Sequence, residues 1–144
     1  MDDLGELARG IGAAAAYAGV GFCLLVLGFA LVDALTPGKL RQQIWHDRDL
    51  NASILVVSAL FSVGILVVVS IFVADTDLAR GLIDAVAFGL LGIILFGISF
   101  KITDWLTPGD LGALLVEDRF HPAVLVTAVV NVTIAMILAV SFIP

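Results

Sequence analysis

Four long apolar stretches decide what this chain can fold into. No Asp, Glu, Lys or Arg occurs in residues 10–32, 51–74, 85–100 or 122–143. A helix of about 20 apolar residues crosses the roughly 30 Å of hydrocarbon in a bilayer. In hydrocarbon each backbone N–H and C=O needs a partner from the protein itself, and a helix supplies these partners within one segment. The expected fold class is therefore all-α, an integral membrane four-helix bundle with spans at about 11–35, 51–74, 78–103 and 122–143. Only 14% of the residues are charged and 61% are hydrophobic, whereas a soluble domain carries about 25% charged residues. Residues 1–144 read as a single membrane domain whose surroundings are the lipid bilayer. Residues 1–10 form a polar lead-in without the basic start of a secretion signal, so the first run is expected to be a retained span.

The runs are ordered by a repeated break. Asp33-Ala34-Leu35-Thr36-Pro37-Gly38 returns 71 residues later, from Asp33 to Asp104, as Asp104-Trp105-Leu106-Thr107-Pro108-Gly109. Each copy closes one apolar run and precedes a short amphipathic segment and then another apolar run. The sequence thus reads as a duplicated two-span unit, repeat one at about 11–74 and repeat two at about 78–143. A proline disfavours helical geometry in the residue before it, so the first span should end near Leu35. Thr36 and Thr107 suit a helix N-cap, and Pro37 and Pro108 suit the first helical position. Segments 37–45 and 108–116 are expected to be short interfacial helices, with apolar faces formed by Leu40 and Ile44 and by Leu111, Leu114 and Leu115. Two spans return the chain to its starting side. The two units should therefore point the same way, around a pseudo-two-fold axis along the membrane normal.

Smaller features refine this picture. Asn51 is the expected N-cap of the second span, and the short turn at 75–77 makes the second and third spans antiparallel neighbours. Gly81, Gly89, Gly92 and Gly97 thin the third span for close packing. In the first span Gly10, Ala14 and Ala18, Gly12 and Ala16, and Ala15 and Gly19 stand four apart. This spacing lets helix backbones approach in lipid, within a protomer or between protomers. Ser58, Ser62 and Gly64 are expected to share a face, and Asn131 and Thr133 to be interior positions of the fourth span. Lone Cys23 reads as a small packing residue. Lys39, Arg41, Arg48, Lys101 and Arg119 lie beside the T-P-G breaks, against Arg9 and Arg80 at the opposite ends. The excess of basic residues places the T-P-G loops in the cytoplasm and both termini outside.

The doubled helix, D-x-L-T-P-G, helix pattern resembles the YjfL-type family, small bacterial membrane proteins classed as a domain of unknown function. The resemblance runs from the first span to the fourth. It rests on Asp33, Thr36, Pro37, Gly38 and Leu40 and on Asp104, Thr107, Pro108, Gly109 and Leu111. It implies a bacterial inner-membrane location and four spans, and it implies no reaction or substrate.

The repeated acids are the sharpest polar signal. Asp33 and Asp104 sit at the C-terminal ends of spans, where the helix dipole disfavours negative charge by about 0.3–1 kcal/mol. Lys101 stands three residues before Asp104 and can pair with it. One reading is structural, with each carboxylate accepting hydrogen bonds from the T-P-G turn or pairing with a basic residue. The other is a small-cation site shared by copies of the chain in a homo-oligomer. His46 and His121 lack metal-pair spacing, so no metal or cofactor is expected, and no nucleophile or phosphate-loop motif points to an enzyme. A net charge of −6 argues against nucleic acid as a partner. No acid lies between Glu6 and Asp33, where a small multidrug antiporter would carry one. Two functions stay open: a homo-oligomeric channel or facilitator for a small cation, and a structural or accessory subunit of a membrane complex.

Overall fold

The computed structural model describes residues 2–36, 44, 46, 48–74, 76–106 and 120–143, the side chains of residues 2 and 3 excepted. It is all-helical: α1 (Asp2–Leu35), α2 (Leu50–Phe72), α3 (Leu78–Leu106) and α4 (Ala123–Ser141). All four are long and apolar enough to cross a membrane. The first proline break acts as expected, with α1 ending at Leu35, while α3 runs past the expected Thr103 to Leu106. The expected interfacial helices, 37–45 and 108–116, fall largely or wholly outside the described residues, as do Pro37, Gly38, Thr107, Pro108 and Gly109.

Contacts between named residues fix the directions of the helices. Gly28 on α1 meets Val63 on α2, while Gly21, two turns earlier, meets Val67 and Ile71. The numbers run oppositely, so α1 and α2 are antiparallel. Leu24 approaches Gly89 and Leu31 approaches Gly97, so α1 and α3 are parallel. Asn51 joins His121, and Ser58 joins Asn131, which makes α2 and α4 parallel. The bundle therefore runs up and down, with the C-terminal ends of α1 and α3 on one side of the membrane. Helix α2 packs against each of the other three, and α1 packs on α2 and α3.

Lipid is as apolar as leucine, so these helices associate through close packing and interhelical hydrogen bonds rather than through hydrophobic burial. The core collects Leu24 and Val32 from α1, Leu55, Val63 and Leu66 from α2, Ile93, Phe96 and Phe100 from α3, and Ala135 and Ala139 from α4. Phe142, just beyond α4, sets its ring 5.5 Å from that of Phe88. Gly81, Gly89, Gly92 and Gly97 are all buried. A Cβ on Gly89 would lie 2.5 Å from Leu24 Cδ1, and one on Gly97 would lie 2.8 Å from Leu31 Cδ2. The glycines of α3 do thin it for a neighbour, and that neighbour is chiefly α1.

Other small residues behave differently. A Cβ on Gly10, Gly12 or Gly19 would meet nothing within 4 Å, so their spacing serves no contact inside the described protomer. Helix α1 continues to Asp2 and is about 50 Å long at 1.5 Å per residue, well beyond the roughly 30 Å it has to cross. Residues 4–12 are exposed on every side. Cys23 is exposed rather than packed, because it lies on the face of α1 turned away from α2 and α3. Gly64 leaves the face of Ser58 and Ser62: six residues are 600° of helix, which places it about 120° from Ser58, and its Cβ would meet nothing within 4 Å. Thr133 is exposed as well and donates its hydroxyl to Val129 O at 2.8 Å.

Candidate functional site

Two polar regions stand out among the described residues, one at the shared end of α1 and α3 and one inside the bundle between α2 and α4.

At the first, α1 closes with Thr36, which is 5% exposed. Its N–H and its hydroxyl both turn back to Val32 O, at 3.0 and 2.8 Å. The hydroxyl is thus a donor that finishes α1, and the helix it was expected to cap falls largely outside the described residues. Asp33, one turn from the end, is half-buried. Its Oδ1 is fully shielded and has no hydrogen-bond partner among the described residues. On α3, Asp104 Oδ2 stands 3.8 Å from Lys101 Nζ, the i,i+3 pair expected from the spacing. The lysine is 67% exposed and the aspartate 33%, so solvent screens the pair and its contribution is about 0–1 kcal/mol. Because α1 and α3 are parallel, both acids lie at the same membrane face. No described hydrogen bond or ion pair joins Asp33 to Asp104 or to Lys101. Among the described residues no three His, Cys, Asp or Glu side chains are grouped to hold a metal ion.

The second region begins at the start of α2. Asp49, with φ −69° and ψ 117°, is the residue that caps this helix. Its Oδ1 accepts from Asn51 N at 2.8 Å and Ala52 N at 3.2 Å, and its carbonyl accepts from Ser53 Oγ at 2.7 Å. Arg48 before it takes a positive φ of 51°, which turns the chain into the cap. Asn51, expected at the cap, sits inside the helix and is 1% exposed. Its Oδ1 accepts from His121 N at 3.1 Å, across 70 residues of sequence. His121 Nδ1 in turn accepts from Ala123 N at 3.2 Å and so satisfies a free donor at the start of α4. Asp49 was open to recognition from sequence, since aspartate caps as well as asparagine and stands directly before the helix. The tie from Asn51 to His121 carried no local signal.

Further along the same seam, Ser58, Ser62 and Ser70 of α2 and Thr127 and Asn131 of α4 are all buried. The hydroxyls bond within their own helices: Ser58 to Leu55 O, Ser62 to Ser58 O, Ser70 to Val67 O and Thr127 to Ala123 O. Such back-bonding satisfies a hydroxyl in an apolar interior and is no sign of a path. Asn131 is different, since its described bond crosses to the neighbouring helix. Its Nδ2 donates across to Ser58 Oγ at 3.4 Å. Its Oδ1 is shielded and accepts nothing from the described residues.

Comparison with known proteins matches the chain to proteins of unknown activity. Residues 6–142 match the family described as Domain of Unknown Function (DUF350). A UPF0719 transmembrane protein of Mycolicibacterium paratuberculosis is 33% identical over 140 residues, covering 94% of this chain and 93% of that protein. A UPF0719 transmembrane protein of Mycobacterium bovis is 33% identical over 136 residues, covering 94% of this chain and 90% of its own length. No solved structure matches the chain.

Proposed function

This chain belongs to the DUF350 family of transmembrane proteins, and from that premise we propose that it is a small homo-oligomeric channel or facilitator for a small cation. Within the family we read it as YjfL-type, on its paired D-x-L-T-P-G stretches. The chain is then one membrane domain of two parallel two-span units, set in a bacterial inner membrane with its T-P-G loops in the cytoplasm. The observation that carries the reading is Asp33. A carboxylate oxygen shielded from water without a donor is costly and calls for a donor or a cation. Asp104 lies at the same membrane face as Asp33. Copies of the chain around an axis would bring these acids to one mouth, where they would concentrate small cations.

Cation flux into liposomes holding the purified protein tests this proposal. Flux above that of empty liposomes, lost in Asp33→Asn while the protein stays folded, is the expected result. Folded protein that gives no flux for any small monovalent or divalent cation ends the proposal. A second reading, a structural or accessory subunit without transport, is favoured by the outer part of α1. There Gly10, Gly12 and Gly19 are spaced for a helix that the described residues do not supply. Co-purification of a different membrane protein from native membranes, together with silence in the flux assay, would select it.

A further inference from the structure

Asparagine 131 lies about a third to half of the way along α4 (Ala123–Ser141), inside the hydrocarbon layer, and is 0% exposed. In the amide orientation present, Nδ2 donates to Ser58 Oγ at 3.4 Å, and shielded Oδ1 accepts nothing from the described residues. Turning the amide over only moves the shortfall. Oδ1 would then face Ser58, whose hydroxyl is already engaged with Leu55 O at 2.8 Å, and the two Nδ2 protons would face the closed side. The hydroxyls one turn away are engaged too, Ser62 with Ser58 O at 2.7 Å and Thr127 with Ala123 O at 3.1 Å. Each of these hydroxyl oxygens keeps a lone pair, so the seam is rich in acceptors and short of donors.

We propose that Asn131 Oδ1 and the Ser58 side of the seam hold one bound water between α2 and α4, buried within the bilayer. A water brings two O–H donors to a place that lacks them, and internal waters settle where two to four polar partners meet. A neutral donor fits better than a cation, because no described charged side chain lies along this stretch of α2 or α4 and a bare charge there is expensive. An apolar groove of about 360 Å³ lies beside Ser58, lined by Val57, Phe61, Ala128 and Val132, and Asn131 Oδ1 is closed off from it while the helices stay in place. Water can enter there when the two helices part slightly, without the bundle unfolding. This inference is independent of the cation reading, which concerns the far ends of α1 and α3.

The sequence makes a direct test simple, because Asn51 and Asn131 are its only asparagines. Protein labelled with ¹⁵N-asparagine and placed in deuterated lipid gives two side-chain amide signals. Asn51→Gln removes one signal and so assigns both. Water-edited solid-state NMR then reads transfer of polarisation from water to each amide. Transfer to the Asn131 amide on the full-length protein, lost when the sample is exchanged into D₂O, is expected. A dry Asn131 amide, in a sample whose water signal is strong, overturns the proposal.

Discussion

Replacing Gly28 with alanine probes the point where α1 and α2 come closest. A Cβ built on Gly28 collides with Val63 Cγ1 and stands 3.0 Å from Val63 Cγ2 and 3.2 Å from Val63 Cβ. Val63 cannot give way easily. It is 0% exposed, and a β-branched side chain inside a helix has one strongly preferred rotamer. The new methyl therefore pushes α1 away from α2 and loosens Leu24 and Val32, which sit in the same core. Overpacking of this kind costs about 1–3 kcal/mol. Exchanging glycine for alanine within a helix returns up to about 1 kcal/mol. The net expectation is a loss of about 1–2 kcal/mol. Gly19→Ala is the control, because a Cβ there meets nothing within 4 Å and only the propensity gain of up to about 1 kcal/mol remains. Reversible unfolding of both variants in the same mixed micelles should separate them by about 2 kcal/mol. Val63→Ala added to Gly28→Ala makes room for the methyl, and a double-mutant cycle should show coupling of about 1 kcal/mol. If Gly28→Ala is as stable as Gly19→Ala, the close approach of the two helices is refuted.

Four further outcomes are expected. If Asp33 binds a cation, Asp33→Asn and Asp33→Ala should lower flux equally and leave unfolding unchanged, while Asp104→Asn should be milder because Lys101 already stands 3.8 Å away. A large stability loss confined to Asp33→Ala would instead assign the acid a structural role. Asp49→Ala removes the acceptor of two backbone donors and should cost about 0.5–2 kcal/mol in an unfolding titration, whereas Asn51→Ala should cost about 1–3 kcal/mol by leaving the His121 N–H unpaired. An unfolding midpoint unchanged in both would contradict the cap and the tie. Cysteines placed at Asp3 and Gln42, in a Cys23→Ser background, should label from opposite sides of intact cells, and labelling from one side would end the proposed orientation.

Much of this fold is determined by sequence alone, for local reasons. Apolar length sets the number of spans, because a backbone in lipid has to pair with itself. The proline after Thr36 ends α1 because a proline restricts the residue before it. The Lys101–Asp104 pair follows from a spacing of three on one helix. The cap of α2 was also a local matter, yet two residues of similar capping strength, Asp49 and Asn51, stood two apart, and the turn at Arg48 decided between them. Other features were set only by the tertiary structure. In water, hydrophobic periodicity marks the face a helix buries; in lipid both faces are apolar, so the pattern does not say which small residues meet a neighbour. Gly28, Gly89 and Gly97 receive Val63, Leu24 and Leu31, while Gly10, Gly12 and Gly19 receive nothing within 4 Å. That division depends on where α2 and α3 end up, and no local signal in α1 encodes it. The same holds for Asn51 with His121 and for Ser58 with Asn131. Each pair is separated by some seventy residues and meets only because α2 and α4 run parallel through the same bundle.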